Sequence, residues 1–154
     1  MRYIISIFAL IALIGCSSSK RAKTTEQTDS VAVELSPELE IGEVLDHYWD
    51  GFDFEDAEQL KALNREQMVY AISEFVSLMP AEDADSRMRD LIRRASTSHD
   101  MLDYIATVCE IVLHNPNSPL RNDEYYIPVL ESMLESPLLD EYERIAPEYD
   151  LDLA

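Results

Sequence analysis

Residues 101–114 read MLDYIATVCEIVLH and carry the clearest helical pattern in the chain. Their apolar side chains recur with the 3.6-residue period of an α-helix, which predicts a helix with one buried stripe. The members of that stripe are Met101, Leu102, Ile105, Val108, Cys109 and Val112. Ser98 and Asp100 precede the stripe and are residue types that favour the start of a helix. This stretch therefore predicts a helical fold.

The same period continues on both sides of residues 101–114. It predicts helices over residues 37–49, 65–79, 84–95 and 138–145. It also predicts one helix that begins after residue 98 and another that continues through residue 134. The apolar side of the first of these is formed by Ile41, Val44, Leu45 and Tyr48. Only three glycines occur in the chain. We therefore predict an all-α domain of about six short-to-medium helices in an antiparallel, array-like bundle.

Residues 114–130, HNPNSPLRNDEYYIPVL, connect two of the predicted helices. Asn115 and Ser118 each precede a proline, which disfavours helical backbone and ends the preceding helix. Asn122 is a predicted N-cap, and the two acidic residues after it suit the positive end of a helix. Arg121 is expected to pair with a carboxylate. We interpret the stretch as a rigid corner between helices.

The first sixteen residues, MRYIISIFALIALIGC, have the layout of an export signal. The apolar run 4–14 is shorter than the roughly 20 residues that cross a bilayer, and the pattern is typical of a cleaved signal. Residues 13–16, LIGC, resemble the lipobox of bacterial lipoproteins. The resemblance implies cleavage after residue 15 and attachment of a diacylglyceryl group to the Cys16 thiol. The alternative is a secretory signal with a chance cysteine beyond the cleavage site.

Residues 17–30, SSSKRAKTTEQTDS, are polar and lack aromatic side chains. Such a composition predicts a flexible tether. The triplet Asp29-Ser30-Val31 resembles the short O-glycosylation motif of Bacteroidota exported proteins, which makes Ser30 a candidate modification site. We divide the chain into a signal peptide over 1–15, a lipidated tether over 16–34 and a helical domain over 35–154. The expected location is the bacterial cell envelope, at the outer membrane facing the periplasm.

The chain contains 31 acidic and 12 basic residues and has a net charge of −19, which argues against a nucleic-acid partner. No Cys-x-x-Cys or His-x-x-x-His spacing occurs. His47, His99 and His114 are interpreted as surface or boundary residues, and Cys109 as a buried structural thiol. We therefore predict no catalytic residue, no metal site, no cofactor and no enzymatic activity in this chain.

Aromatic residues form two groups, Tyr48-Trp49 with Phe52 and Phe54, and Tyr125-Tyr126. One interpretation is that these rings fill the core, as most aromatic residues of a small domain do. The other is that Tyr48, Trp49, Tyr125 and Tyr126 contact a partner, because aromatic side chains dominate binding energy at interfaces.

Two sequence blocks together resemble one family. They are YWDGFDF at residues 48–54 and, within residues 115–131, NPNSP, RN and YIPVLE. They are similar to the helical domain of unknown function at the front of many Bacteroidota lipoproteins, which is often followed by a thioredoxin-like domain. The resemblance spans roughly residues 39–149 and implies no catalytic residue in the helical part. In the longer relatives thiol chemistry belongs to the thioredoxin-like domain, which would begin near the last residue here.

Three functions remain open from the sequence. The first is a non-enzymatic, lipid-anchored module that binds an unknown protein partner in thiol-redox chemistry or envelope maintenance. The second is the N-terminal part of a thiol-disulfide oxidoreductase lipoprotein whose catalytic domain is not in this chain. The third is a binder of a small exported ligand in a groove between helices.

Overall fold

The computed structural model describes residues 37–56, 60, 62 and 64–154, so the predicted signal, Cys16 and Ser30 lie outside the described residues. The part of the chain that it describes is all-α, as predicted, and contains no strand. The helices with described ends are α1 (Pro37–Asp46), α2 (Arg65–Leu78), α3 (Ala84–Ala95), α4 (His99–Leu113), α5 (Asp123–Glu135) and α6 (Ile145–Leu153). A 3₁₀ turn, Ala81–Asp83, precedes α3. None of the described helices has the length and apolar character needed to cross a membrane.

Three helices begin at polar residues of the types that favour a helix start, and two of these residues, Ser98 and Asn122, are the ones predicted above. The Asn64 side chain accepts a 2.9 Å hydrogen bond from the backbone N–H of Glu66 at the start of α2. The Ser98 hydroxyl accepts one from Met101 at 3.2 Å in α4. Asn122 caps α5 in the same way as Asn64, at 2.9 Å. Each bond satisfies a donor that has no partner inside its helix.

Helix α4 lies at the centre of the domain. It is buried on more than one side, through Met101, Leu102, Ile105, Ala106, Val108, Cys109, Val112 and Leu113. It packs against α2, α3 and α5, while α3 also packs closely against α5, and α5 against α6. The central position of α4 explains why its sequence is the most apolar of the helices with described ends.

The apolar side predicted for α1 is wrong in part. Ile41 and Val44 are 37% and 54% exposed, whereas Leu45 is buried. The regular helix ends at Asp46, and the chain continues through tight i→i+3 turns, including a 3.0 Å bond from the Phe52 N–H to the Trp49 carbonyl. Trp49 lies four residues after the buried Leu45 and is itself 6% exposed, so the buried side of this segment runs through Leu45 and Trp49 and leaves Val44 and much of Ile41 exposed.

The last helix is also displaced from its predicted position. The pattern predicts residues 138–145, but the helix runs over Ile145–Leu153 and residues 138–144 are not helical. Pro147 stands in its first turn, where backbone N–H groups have no helical acceptor, so a proline is tolerated. Its ring is buried, so this side of α6 faces the rest of the domain.

The segment before α6 is closed by its own side chains. The Asp140 carboxylate accepts the N–H of Glu143 at 2.9 Å, and the Glu143 carboxylate accepts the N–H of Asp140 at 2.8 Å. The Arg144 guanidinium donates to the carbonyl oxygens of Leu134 and Ser136 at the end of α5. These bonds hold residues 140–144 as a turn and attach it to α5.

Hydrogen bonds among residues 112–122 hold the corner between α4 and α5. The N–H of Asn122 donates to the carbonyl of Leu113 at 2.9 Å, and the Ser118 hydroxyl donates to the carbonyl of Val112. The Asn115 side chain accepts the N–H of Asn117 at 2.8 Å. The predicted corner is confirmed, but Arg121 makes no ion pair with any described residue, so the expected pairing of Arg121 is wrong.

Candidate functional site

The first aromatic group lies inside the domain. The Trp49 ring packs edge-on against Phe75 and Phe54, at centroid distances of 5.4 and 6.2 Å, and it is 6% exposed. Phe52 packs on Phe54 at 4.7 Å. The Thr97 hydroxyl donates a 2.6 Å hydrogen bond to the Phe54 carbonyl and attaches this loop to the end of α3. The YWDGFDF block therefore serves packing between α1, α2 and α3.

Tyr48 is half-buried at the edge of this group. Its hydroxyl lies 2.9 Å from both the Ala71 carbonyl and the Glu74 carboxylate. Burial raises the pKa of the Tyr48 hydroxyl, and the hydrogen bond with Glu74 raises it further. The Tyr48 hydroxyl thus stays protonated, and its hydrogen bonds hold the segment after α1 against α2.

The second aromatic group is also buried. Tyr125 is 8% exposed and Tyr126 4% exposed. The Tyr126 ring stacks on the His114 ring at 4.9 Å, across the α4–α5 corner. Burial gives Trp49, Tyr125 and Tyr126 a packing role, and their contact with a partner stays a prediction.

Cys109 is a free thiol within the core and has no exposed surface. Burial raises the pKa of this thiol to about 12. Because the thiolate is the reactive form, a thiol held protonated in this way behaves as a small apolar side chain. The structural role predicted for Cys109 is confirmed.

The three histidines have different environments and do not form a common site. His47 pairs with Asp50 at 2.7 Å and His99 with Glu143 at 2.6 Å, both at the surface. His114 keeps a buried Nδ1 atom without a hydrogen-bond partner among the described residues. Nowhere in the described part of the chain do three His, Cys, Asp or Glu side chains come together as metal ligands would.

The arginines of α3 occupy two open grooves. Arg87 pairs with Asp46 at 2.9 Å, and Arg94 pairs with Asp90 at 2.7 Å. Arg89 reaches Glu131 across to α5. Cavities of about 400 and 350 Å³ lie beside these residues, the larger between α3 and α5. Since each of these guanidinium groups already has a carboxylate partner, the grooves present little free positive charge.

Helix α6 and the turn before it expose a row of large apolar side chains. We name it the α6 row: Tyr142, Ile145, Tyr149 and Leu153, which are 79%, 59%, 63% and 67% exposed. Spacings of four residues place Ile145, Tyr149 and Leu153 on one side of α6, opposite the buried Pro147, and Tyr142 lies in the turn that precedes the helix. Sequence reasoning missed the row because it ended the last helix at residue 145.

A pocket of about 250 Å³ lies between α4, α5 and α6, and we name it the α4–α6 pocket. Four carboxylate side chains stand on its walls: Asp103, Glu110, Glu143 and Asp150. Its other lining includes Tyr126, Leu130, Met133 and Pro147. No arginine or lysine lines it. The pocket thus combines negative charge with an apolar floor.

Comparison with known proteins identifies the fold of this chain in a solved structure. The family described as a domain of unknown function, DUF5106, matches residues 16–154. The crystal structure of a thioredoxin-like protein from Bacteroides caccae superimposes with a TM-score of 0.71 and 31% sequence identity. The match covers 87% of this chain and 49% of that one, so this chain spans about half the length of that protein. No curated protein matches the sequence.

Proposed function

The chain belongs to the DUF5106 family of domains of unknown function, and on that premise we propose that it is a non-enzymatic interaction module of a lipid-anchored envelope protein. The family match begins at residue 16, the lipobox cysteine and the first residue that a mature lipoprotein would keep. The apolar run before it is typical of a cleaved signal.

The α6 row is the observation that carries the proposal. An exposed apolar row of this length, with one tyrosine on the helix and one in the turn before it, is the composition that protein interfaces favour. The opposite side of α6 is attached to the domain through Pro147. The row is therefore held on a fixed support and free to receive a partner, whereas the aromatic rings of the core are not.

The chemistry of the partner is suggested by the solved relative. That protein is thioredoxin-like, and roughly half of it lies outside the matched part. We propose that the partner of the α6 row is a domain of thioredoxin-like fold, which links this chain to thiol-redox chemistry in the envelope. Within the described residues the only cysteine is the buried Cys109, so the redox centre would belong to the partner.

Site-specific photo-crosslinking tests this interface. A benzoyl-phenylalanine in place of Tyr149 samples the α6 row, and the same group in place of Tyr70 is a matched control, since both tyrosines are 63% exposed. We expect a discrete adduct with a thioredoxin-like protein from position 149 and none from position 70. Equal adducts from both positions, or none from either, would refute the proposal.

The runner-up function is the N-terminal part of a thiol-disulfide oxidoreductase, and the same relative supports it. Here the thioredoxin-like domain would follow in the same polypeptide. An immunoblot of native cells with an antibody against the helical domain separates the two. A band near the 17.6 kDa of this chain favours the module, and a band about twice that size favours the oxidoreductase.

The lipid anchor has its own test. We expect Cys16→Ser to remain an unprocessed precursor without label from radioactive palmitate, whereas the Cys109→Ser variant is labelled normally. The thioether with the diacylglyceryl group requires the cysteine thiol, and more than one acyl chain is needed for durable anchoring. Labelling of Cys16→Ser at the wild-type level would rule out lipidation at this position.

A further inference from the structure

We propose that the groove beside Trp49 binds a peptide main chain through one of its secondary amide groups. The groove is the cavity of about 350 Å³ between residues 45–49, α2 and α3, and we name it the Trp49 groove. It shares no residue with the α6 row, so the inference goes beyond the proposed function and does not depend on it. Its ligand class follows from an N–H group without an acceptor, from arginines with free donors, and from an apolar wall.

The indole N–H of Trp49 lacks a hydrogen-bond acceptor. The side chain lines the groove and is 6% exposed, and its Nε1 atom has no partner among the described residues. An indole nitrogen donates a hydrogen bond and cannot accept one, so the missing partner is an acceptor such as a carbonyl oxygen. Because a buried donor without an acceptor is costly, an acceptor at this wall of the groove would bind favourably.

Two arginines of the groove supply further donors without free charge. Arg87 donates from Nε to Asp83 at 3.1 Å and from Nη1 to Asp46 at 2.9 Å. Arg94 donates from Nε to Asp90 at 2.7 Å. The Nη2 atoms of both guanidinium groups donate no hydrogen bond to a described residue. Since their charges are paired while N–H groups remain, these arginines favour a neutral acceptor over an anion.

The remaining lining matches the other parts of a secondary amide. The Asp46 and Asp90 side chains are 65% and 39% exposed, and their carboxylates keep lone pairs that can accept an N–H from a ligand. The buried Leu45 and Phe75 form, with the Trp49 ring, an apolar wall that suits methyl and methylene groups. A ligand with a carbonyl, an N–H and short alkyl groups on both sides therefore fits the groove.

A peptide fits these features better than an N-acetylated sugar, although both carry a secondary amide. The Trp49 ring is 6% exposed, so it offers no open face on which a sugar ring could stack. The hydroxyl groups of a sugar would also lie against the apolar wall, where they find no partner. A peptide main chain brings the amide with an alkyl group on either side.

NMR of the indole N–H tests the proposal, because Trp49 is the single tryptophan of the chain. The detergent-solubilised, ¹⁵N-labelled protein therefore gives one indole signal. We expect N-acetylalanine N-methylamide to shift the indole proton downfield in a saturable way, since a hydrogen bond to a carbonyl deshields it. At equal ionic strength, sodium acetate and n-butylammonium should bind more weakly, because each lacks half of the amide. N-acetylglucosamine should also bind more weakly.

Two neighbouring arginines of α3 provide a matched pair of variants. Arg93 and Arg94 both pair with Asp90, but Arg94 lines the Trp49 groove and Arg93 lines the groove between α3 and α5. We expect Arg94→Met to weaken binding of N-acetylalanine N-methylamide about fivefold or more, because it removes donors from the groove. Arg93→Met removes the same charge next to the same aspartate and should leave the affinity within about twofold.

An isostere of tryptophan tests the indole N–H itself. Benzothienylalanine in place of Trp49 keeps the bicyclic ring and exchanges the N–H for sulfur, and calorimetry should show binding about fivefold weaker or more. The proposal is overturned by the absence of a saturable shift of the indole signal, by equal loss in Arg93→Met and Arg94→Met, or by unchanged affinity with the isostere. Tighter binding of acetate, n-butylammonium or N-acetylglucosamine than of the peptide amide overturns it as well.

Discussion

The hydroxyl of Tyr125 donates a 2.9 Å hydrogen bond to the backbone carbonyl of Met79, 46 residues earlier in the chain. Met79 is the C-cap residue that directly follows α2, and carbonyl groups at the end of a helix find no N–H donor inside it. The first turn of α5 thereby closes the end of α2. Both residues are buried, at 8% and 5% exposure, so water is a poor substitute for the tyrosine.

Replacing Tyr125 with phenylalanine should destabilise the domain by about 1–2 kcal/mol, because the buried Met79 carbonyl loses its donor while the ring remains. Urea unfolding monitored by circular dichroism measures the change. Tyr142→Phe is the control, since that side chain is 79% exposed and should alter stability by less than about 0.5 kcal/mol. Equal effects of the two variants would contradict a role for the Tyr125 bond.

Asn122→Ala should cost about 1 kcal/mol, since it removes the side-chain oxygen that caps α5 through the N–H of Glu124. The same unfolding measurement applies. Asn117→Ala is the matched control, because the Asn117 side chain makes no hydrogen bond with the described residues in the same corner. If Asn122→Ala kept full stability, the corner would not depend on this cap.

Cys109 should resist alkylation in the folded protein. In the Cys16→Ser variant it is the remaining thiol of a chain with two cysteines, so mass spectrometry follows it directly. Because burial raises the pKa of the Cys109 thiol to about 12, iodoacetamide at neutral pH should react more than about a hundredfold more slowly than in urea. Comparable rates in both conditions would show that the core around α4 opens readily.

The pair of His99 and Glu143 should make stability depend on pH. The hydrogen bond to Glu143, followed by its charge, raises the pKa of His99 in the folded state. A raised folded pKa means that the contribution is fully present below the ordinary histidine value of about 6.5 and is lost as pH rises through the folded pKa. Wild type should therefore exceed His99→Gln in stability at acidic pH, with the difference declining above that range.

Salt provides the control for the His99 prediction. The pair is exposed, so added salt should reduce the difference between wild type and His99→Gln at acidic pH. A difference that grows with rising pH would have the wrong sign and would contradict the assignment.

The central helices were predictable because local sequence and burial agree there. Helix α3 begins and ends where its apolar period indicates, and the stripe from Met101 to Val112 is buried throughout. The polar residues Asn64, Ser98 and Asn122 cap helices through bonds to N–H groups two or three residues away. Such contacts join residues two or three positions apart, so they can be predicted from the sequence alone.

The errors lie where a distant element decides which side of a segment is buried. Val44 fits the apolar pattern of α1 but is 54% exposed, because Leu45 and Trp49 are the residues that face the core, where Trp49 packs against Phe75. The last helix was misplaced because Asp140 and Glu143 close residues 140–143 as a turn, and Arg144 attaches this turn to carbonyl groups at the end of α5. The contacts of Trp49 with Phe75 and of Arg144 with the end of α5 join segments that are distant in the chain, so they have no local signal.

The sequence by itself determined the helical class, three helix caps and the corner between α4 and α5, since apolar period and turn chemistry act over a few residues. Only the tertiary structure decided the candidate sites. The α6 row exists because Pro147 turns the opposite side of its helix onto the domain, and the α4–α6 pocket collects Asp103, Glu110 and Asp150 from two separate helices. Side chains brought together by packing leave no spacing that a sequence pattern reveals.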